Sequence, residues 1–380
     1  MTSTRHTWID SDEGLTELGS LLAAQDGLAV DTESDGFHHY FDKLCLLQFS
    51  TRDANFLVDP LAVSTLEPLR PALEDPAIRI VMHAAEQDIM YLRRDHKLEV
   101  AGLFDTSAAA QLTGHTRLGL AALLETFFEV KLSKSNQRDD WSRRPLNAAQ
   151  LAYAVADTSR LLELARRLEA ELQALGRQEW ATEEYRALER KQINLNSSEP
   201  DDITRVKGWR KLPPRGRVIL RELLLARDLE ARRRDRPPFR IVPGPLLLDL
   251  ATKPPASVQD LQNRKGFPRQ RPSALAVQLM AAVSKSMKMP ESQFPAPPVR
   301  APRTPSRRDS QFEARINTLR AWRQETATRL KLEPGVVISQ RDLEMVAENP
   351  PGSPGEEGCR EALRRWRWSQ FSDQWRTLLA

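Results

Sequence analysis

Cysteine and histidine are scarce in this chain of 380 residues, which contains two cysteines and six histidines. Cys45 and Cys359 lie in opposite halves of the sequence, a spacing that excludes a disulfide framework and a zinc-finger motif. So few thiols are typical of a reducing compartment, and we expect a cytoplasmic protein. Any bound metal must be held mainly by carboxylates, which favours hard ions such as Mg²⁺ or Mn²⁺.

Long apolar runs are also missing. No segment approaches the roughly 20 consecutive apolar residues that a membrane-spanning helix needs. The first residues, MTSTRHTWIDSDEGL, lack the apolar stretch of a secretory signal peptide. We therefore expect no membrane association. Apolar residues still make up 40% of the chain, enough to build the cores of two or three domains.

Charge is distributed unevenly along the chain. The net charge is only +4, but residues 1–196 hold 21 basic and 31 acidic side chains, whereas residues 197–380 hold 35 basic and 21 acidic ones. An acidic half joined to a basic half indicates an appendage that binds a polyanion, although a chance solvated surface would give the same numbers.

Composition divides the chain into four parts. Residues 1–196 alternate apolar strands with amphipathic helices, which predicts a mixed sheet with helices on its faces. Residues 197–288 are helical and basic, and residues 310–380 are helical and rich in Arg and Trp. Their similar size and order indicate two diverged copies of one module. Residues 289–309 are rich in Pro, Ser and Arg and predict an extended linker.

Four acidic side chains and one tyrosine stand out in the acidic half. Asp31 and Glu33 end an apolar strand, and residues two apart in a strand point to the same face. Asp88 lies at the start of a helix that follows another strand. Tyr153 and Asp157 are four residues apart, on one face of a later helix.

Each of these signals is weak by itself. The first pair also fits an ordinary polar strand end, and Asp88 fits simple compensation of a helix dipole. A core tyrosine with an exposed aspartate would explain the third signal. Their order along the chain is more informative than any one of them.

In that order the residues resemble the DEDD superfamily of 3′–5′ exonucleases, in the subgroup with tyrosine in its third motif. Within it, HAAEQD, LFDTSAAAQLTG and the stretch from KSNQRDDWSRRPL to DTSRLL resemble the ribonuclease D family. The stretch beginning VILRELLLARDLEARRR resembles the helicase-and-RNase-D C-terminal (HRDC) domain, and the last helical part resembles a divergent second copy. The resemblance implies a ribonuclease H-like α/β exonuclease domain followed by two all-α HRDC-type domains.

The family also implies roles for these residues in holding two divalent ions, Mg²⁺ or Mn²⁺. Asp31 would bridge both ions, Glu33 and Asp157 would hold the ion on the nucleophile side, and Asp88 would act on the other through water. Tyr153 would orient the attacking water, since its ordinary pKa near 10 makes it a poor base at neutral pH.

Further residues are expected to contact the RNA. His38 and Tyr40 follow the first motif and are placed to stack on a terminal base, unless they belong to a packed turn. His83 is expected to orient the segment that carries Asp88, and we include it among the candidate RNA contacts. The polar segment before the Tyr/Asp helix supplies three candidate phosphate contacts: Lys134, Arg138 and Arg144.

The implied function is a metal-dependent 3′–5′ exoribonuclease that releases nucleoside 5′-monophosphates. We expect its substrate to be RNA with a free 3′ end, such as a tRNA precursor, and we see no sign of an obligate protein partner. Two alternatives stay open: a 3′–5′ DNA exonuclease in repair, and a non-catalytic RNA-binding protein with a decayed nuclease fold. After Glu33 the sequence SDGFHHY departs from many bacterial ribonuclease D proteins towards the eukaryotic exosome nuclease, so the natural substrate is open.

Overall fold

The computed structural model describes residues 5–132, 135–191, 199–267, 273–296 and 310–379. The chain forms two compact units. One comprises Met1–Ser34, Leu44–Ile193 and Pro305–Ala380, and the other comprises Asp35–Lys43 and Asn194–Thr304. The second helical part is thus grouped with the acidic half. The predicted domain boundaries stay predictions, and residues 297–309 of the predicted linker lie outside the described residues.

The first unit contains a mixed sheet of six strands. Their order across the sheet is β1–β4–β3–β2–β5–β6. β2 is central, antiparallel to β3 and parallel to β5, while β1 is parallel to β4 and β6 to β5. The strands are β1 (Thr7–Ile9), β2 (Gly27–Ser34), β3 (Leu44–Ser50), β4 (Asn55–Val58), β5 (Arg79–Met82) and β6 (Leu103–Asp105).

Eight helices of the acidic half accompany this sheet. Three of them begin at side chains that accept backbone N–H groups: Ser11 caps α1, Asp105 caps α4 and Asn147 caps α6. The helices are α1 (Asp12–Ala23), α2 (Arg70–Leu73), α3 (Glu86–His96), α4 (Thr106–Thr113), α5 (Leu120–Phe128), α6 (Ala148–Thr158), α7 (Leu161–Ala174) and α8 (Gln178–Glu189). The mixed sheet with flanking helices confirms the predicted fold class.

The two C-terminal helical parts repeat one arrangement of helices, in which a long helix is followed by a four-residue helix, a nine-residue helix, a short helix and another long helix. The first copy is α9 (Pro214–Arg234), α10 (Pro238–Ile241), α11 (Gly244–Thr252), α12 (Val258–Gln262) and α13 (Ser273–Lys288). The second copy is α14 (Ser310–Leu330), α15 (Pro334–Val337), α16 (Gln340–Glu348), α17 (Glu356–Ala362) and α18 (Arg365–Leu379). The first three lengths are identical in both copies, which supports duplication of one module.

The second module shares a hydrophobic core with the sheet and its helices. Trp366 of α18 stacks on Trp180 of α8, with ring centroids 4.4 Å apart and planes 15° from parallel. The indole N–H of Trp366 donates to Glu184, 3.0 Å away. Arg177, which is buried, donates to the carbonyls of Leu112 and Leu330. These contacts make the second module a structural part of the first unit.

The remaining tryptophans of the terminal helix also belong to this core. Trp375 is fully buried, and Trp368 packs against the same core. In the first module, α9 and α13 pack together around a separate core that includes Leu220, Leu223 and Leu279. No helix among the described residues combines the length and the apolar character needed to cross a bilayer.

Replacing Trp366 with alanine should destabilise the first unit. The substitution removes a stacked indole from the shared core, and large-to-small changes of this kind cost about 3–5 kcal/mol in the free energy of unfolding. Denaturant titration followed by tryptophan-independent circular dichroism measures this loss. Leu378→Ala, at an exposed site on the same helix, should change the free energy by less than about 0.5 kcal/mol. A similar small effect of Trp366→Ala would contradict the shared core.

Candidate active site

Two carboxylates project from the end of the central strand. Asp31 and Glu33 lie opposite Gln48 and Leu46 of β3, whereas β5 pairs only with residues 27–29 of β2. Among the described strands, β2 therefore has a single neighbour beyond Ala29. Because β5 does not pair with the end of β2, helices can approach the side chains of Asp31 and Glu33 there. One carboxylate oxygen each from Asp31, Glu33 and Asp157 lies within 4.8 Å of the other two.

Asp88 reaches the site from α3, the helix that follows β5. Its carboxylate accepts a hydrogen bond of 2.5 Å from the hydroxyl of Thr32, the residue between the two acids of β2. The side chain is buried, with 8% of its surface exposed. Its charge contributes to raising the pKa values of Asp31 and Glu33, so Asp88 belongs to the same electrostatic cluster.

Tyr153 and Asp157 come from α6, which is fixed at both ends. Asn147 caps its start in a reciprocal arrangement with Gln150. At its other end Thr158 shares a buried hydrogen bond of 2.7 Å with Ser50 of β3. Between these anchors, Tyr153 lies close enough to Asp157 for the carboxylate to raise the pKa of the phenol. The predicted spacing of four residues therefore brings both groups to the site.

The electrostatics of the cluster favour protonated carboxyl groups when no cation is bound. Burial, followed by repulsion from the other acids, raises the pKa of Asp31 and of Glu33 well above ordinary values. Burial also raises the pKa of Asp88 and of Asp157 to about 7. The pKa of Tyr153 is raised by burial and by the neighbouring carboxylates, so its hydroxyl stays protonated at neutral pH.

The start of α3 is positioned by a buried aspartate that sequence reasoning did not single out. Asp105 accepts the backbone N–H of Ala85 at 2.7 Å and that of Ala108 at 2.8 Å. Ala84, just before α3, has a positive φ of 56°, a conformation that non-glycine residues seldom adopt. The carboxylate of Asp105 thus fixes the turn from which Asp88 projects.

His83 also belongs to this turn. Its Nδ1 lies 2.9 Å from the hydroxyl of Thr106, which in turn donates to the carbonyl of Met82. Burial lowers the pKa of His83, so the ring is neutral near pH 7. This geometry supports the orienting role expected from the sequence.

Gln48 is a second residue that the sequence interpretation missed. Its side chain is fully buried, and neither polar atom of its amide has a hydrogen-bond partner among the described residues. It stands opposite Asp31 in the β2–β3 register, where side chains of paired residues are neighbours. A lone polar residue inside the apolar strand LCLLQFS was the signal that could have indicated it.

The other residues expected to contact substrate are distributed differently. His38 and Tyr40 lie in the segment grouped with the first helical module, where the Tyr40 hydroxyl donates to Asp228 at 2.7 Å. Arg138 is exposed, and Lys134 lies outside the described residues. Arg144 forms two hydrogen bonds to Asp59 and donates to the carbonyls of Trp141 and Cys45. These bonds give Arg144 a structural role, and its contact with a phosphate stays a prediction.

The cluster has the chemistry of a divalent-cation site. Three carboxylate oxygens converge at distances a single ion can span, and a fourth acid lies beside them. Hard oxygen donors of this kind suit Mg²⁺ or Mn²⁺ better than softer metals. A bound cation would also offset the repulsion that raises the pKa values. The arrangement can therefore hold divalent ions at the end of β2.

Models of two known protein families match the part of the chain that carries this site and the two helical modules. The family model described as 3′-5′ exonuclease matches residues 6–173, and the HRDC domain model matches residues 217–283 and 312–356. Ribonuclease D from Jannaschia sp. is 34% identical over 302 residues, which are 76% of this chain and 76% of that protein. The chain belongs to the ribonuclease D family. It is accordingly a 3′–5′ exoribonuclease, acting on RNA from the 3′ end.

Other members of the ribonuclease D family agree over nearly the whole chain. Ribonuclease D from Pseudomonas paraeruginosa is 30% identical over 366 residues, covering 95% of this chain and 94% of its own. The crystal structure of Escherichia coli RNase D, 25% identical, superposes with a TM-score of 0.68 and covers 99% of this chain and 98% of that one. The predicted order of one nuclease and two HRDC-type parts is confirmed.

The similarity extends to a eukaryotic relative. The exosome complex exonuclease RRP6 of Saccharomyces cerevisiae is 34% identical over 266 residues, which are 66% of this chain but 36% of that protein. The match spans about a third of RRP6. This chain is therefore similar to one part of RRP6, in line with the departure noted after Glu33.

The stability of the metal-free protein should fall as pH rises. Each acid of the cluster has a pKa raised above its unfolded value, so the folded state binds more protons, and stability is lost between about pH 4 and pH 8. Mg²⁺ or Mn²⁺ at millimolar concentration should raise Tm by several degrees at pH 8 and by less at pH 5.5. Differential scanning fluorimetry measures both values.

The control is a variant in which one carboxylate of the cluster is neutral. Asp31→Asn removes one repelling charge, so the metal-free variant should melt above the wild type at pH 8 and should gain less from metal. A wild-type melting curve that does not respond to metal at either pH would contradict the assignment.

Asp105→Asn should weaken metal activation without preventing folding. The amide can accept only one of the two backbone N–H groups that the carboxylate now accepts, so the turn before Asp88 loses an anchor. The metal concentration for half-maximal activity should rise about 10-fold or more, as for other residues that support metal ligands. Glu13→Gln, at an exposed acid of α1, is the matched control. Equal activation curves for both variants would show that Asp105 does not position the site.

Proposed function

We propose that this exoribonuclease trims the 3′ ends of structured stable RNAs, with tRNA precursors as its main substrates, and needs no obligate protein partner. The observation that carries the mechanism is the convergence of Asp31, Glu33 and Asp157, with Asp88 and Tyr153 beside them. The choice of substrate is supported by Escherichia coli RNase D, which is described as an exoribonuclease involved in structured RNA processing.

We assign the four carboxylates to two divalent ions, Mg²⁺ or Mn²⁺. Asp31, at the centre of the cluster, would share its carboxylate between them, while Glu33 and Asp157 would complete one site. Asp88, held by Thr32, would face the other. When bound, such ions supply an acidified water and offset the negative charge that develops on the phosphate and on the leaving oxygen.

Tyr153 acts in this proposal as a hydrogen-bond donor. Its raised pKa excludes a role as general base near neutral pH, because the phenol cannot lose its proton there. The hydroxyl lies close to the carboxylate of Asp157, which in this proposal holds the ion on the nucleophile side. From that position it can orient the attacking water towards the last phosphodiester bond. Cleavage then leaves the phosphate on the released nucleoside 5′-monophosphate.

The direct test is degradation of a 5′-labelled precursor tRNA with a 3′ tail. With Mg²⁺ or Mn²⁺ we expect stepwise shortening from the 3′ end, and none in EDTA. Asp31→Asn should reduce the rate at least about 10³-fold, because several kcal/mol of charge stabilisation depend on that ligand. Tyr153→Phe should cost about 10²-fold, as expected for one lost donor. Gel electrophoresis of timed samples measures each rate.

Three controls separate this proposal from the alternatives. A matched single-stranded DNA tests for repair activity, and faster shortening of DNA than of RNA would favour a DNA exonuclease. RNA binding measured alongside should persist in Asp31→Asn. Binding without cleavage by the wild type under all metal conditions would favour a decayed nuclease. An untailed mature tRNA, which should be degraded more slowly, tests the role in 3′ maturation.

A further inference from the structure

The basic runs of the first helical module are largely neutralised within the module. Arg233 and Arg234 both pair with the buried carboxylate of Glu230, and Arg264 lies between Asp249 and Asp260. The clusters that are most basic in sequence are therefore not the strongest anion sites. Cations that face open space without an acidic partner are better candidates.

Such cations line a cavity of about 640 Å³ in the second unit. Its walls come from residues 199–207, from one face of α9 and from the start of α11, and Tyr40 contributes its ring. A cavity of this volume is within the usual range for small-ligand sites. Every lining residue belongs to the second unit, so the cavity is a feature of that unit alone.

Arg227 of α9 is the least satisfied charged group in the cavity wall. Its Nε is buried and has no hydrogen-bond partner among the described residues, and its Nη1 lies 3.4 Å from the carbonyl of Val242. Burial lowers the pKa of Arg227, the charge of Asp228 raises it, and the charge of Arg205 lowers it to a smaller extent. Arg205 and Arg227 are therefore near neighbours in the wall of the cavity.

Two other cations of the cavity wall have no acidic partner of their own among the described residues. Arg205 and Lys207 are exposed, and neither has an ion pair within the described part of the chain. Asp202 accepts the backbone N–H and the hydroxyl of Thr204. Asp228 accepts the hydroxyl of Tyr40 and Nε of Arg232. Of the three acids in the wall, only the exposed Glu199 has no described bond of its side chain. The wall holds four cations, Arg205, Lys207, Arg227 and Arg232, against these three acids, so its net positive charge favours an anion.

A phosphate group has the chemistry that this cavity lacks. A guanidinium binds phosphate through two parallel hydrogen bonds, and the exposed Arg205 offers such a group beside the exposed Lys207. The apolar part of the wall, Leu224, Pro238 and Leu248, offers a surface for a sugar or a base. The substrate of an exoribonuclease and its product both join a phosphate to such groups.

We propose that this cavity is a second nucleotide phosphate-binding site, centred on Arg205, Lys207 and Arg227. It binds either a phosphodiester of the RNA strand or a free nucleoside 5′-monophosphate. The site rests on the exoribonuclease function only for the choice of nucleotide, since the cavity and its charges are independent of the catalytic carboxylates.

The test compares two doubly substituted proteins that lose the same charge. Arg205→Ala with Lys207→Ala removes the exposed cations of the cavity, and Arg240→Ala with Lys253→Ala removes two exposed cations elsewhere in the module. All proteins are full length and carry Asp31→Asn, so that RNA stays intact. Fluorescence anisotropy gives the Kd for a labelled single-stranded RNA between 50 and 300 mM salt.

The cavity pair should weaken RNA binding about tenfold near 0.1 M salt and reduce the slope of log K against log salt by about 1.4, as two lost phosphate contacts require. The control pair should change Kd less than about twofold. Arg227→Lys keeps the charge but loses the planar fork, and should weaken binding about threefold. Equal effects of the two pairs would show diffuse attraction and overturn the site, as would no effect of either.

Two further arms identify the source of the phosphate. Calorimetric titration with adenosine 5′-monophosphate, with adenosine as the control, should show binding that the cavity pair abolishes if the site takes free product. Weaker RNA binding without nucleotide binding assigns the site to the strand. In proteins with intact Asp31, dinucleotide hydrolysis should stay within twofold of wild type. A larger fall would place these residues at the catalytic centre and overturn a separate site, whereas an inactive wild type would refute the exonuclease mechanism instead.

Discussion

Mutual repulsion among buried carboxylates at the end of β2 is the constraint on which the rest of the first unit depends. Four acids are held where burial and their own charges oppose ionisation. The fold sustains this cost through anchors outside the cluster: the capped start of α6, its buried Ser50–Thr158 hydrogen bond, and Asp105 at the turn before α3. Divalent cations among these carboxylates would offset their mutual repulsion, so the charges that oppose ionisation of the acids also favour metal binding.

The two helical modules that follow the nuclease differ in the core that they help to form. The second module shares the core of the nuclease through Trp366 and Trp180, so its contribution is structural. The first module keeps a core of its own, takes the segment after Ser34 with it, and carries cations that lack acidic partners. One duplicated sequence thus serves stability in one copy and, in our proposal, phosphate recognition in the other.

Local spacing made part of this structure predictable. The two acids of β2 and the Tyr153–Asp157 pair depend on separations of two and four residues, which set the direction of side chains within one element. Contacts between distant segments were not predictable in this way. Arg144 pairs with Asp59, 85 residues away in sequence, and no local pattern indicated this contact. Asp105 and Gln48 come to lie beside the site only when the sheet forms, so no local spacing indicates them. β1 has three residues, too few to show an alternating pattern.

Proton release on metal binding tests the electrostatic account most directly. Calorimetric titration of the metal-free protein with Mg²⁺ or Mn²⁺ at pH 7, in buffers of different ionisation enthalpy, counts the protons displaced per chain. The raised pKa values of the cluster predict a net release of about one proton or more, declining towards pH 9 as the carboxyl groups ionise. Metal binding with no proton release at pH 7 would contradict the account, because the carboxylates would then already be ionised before the ions arrive.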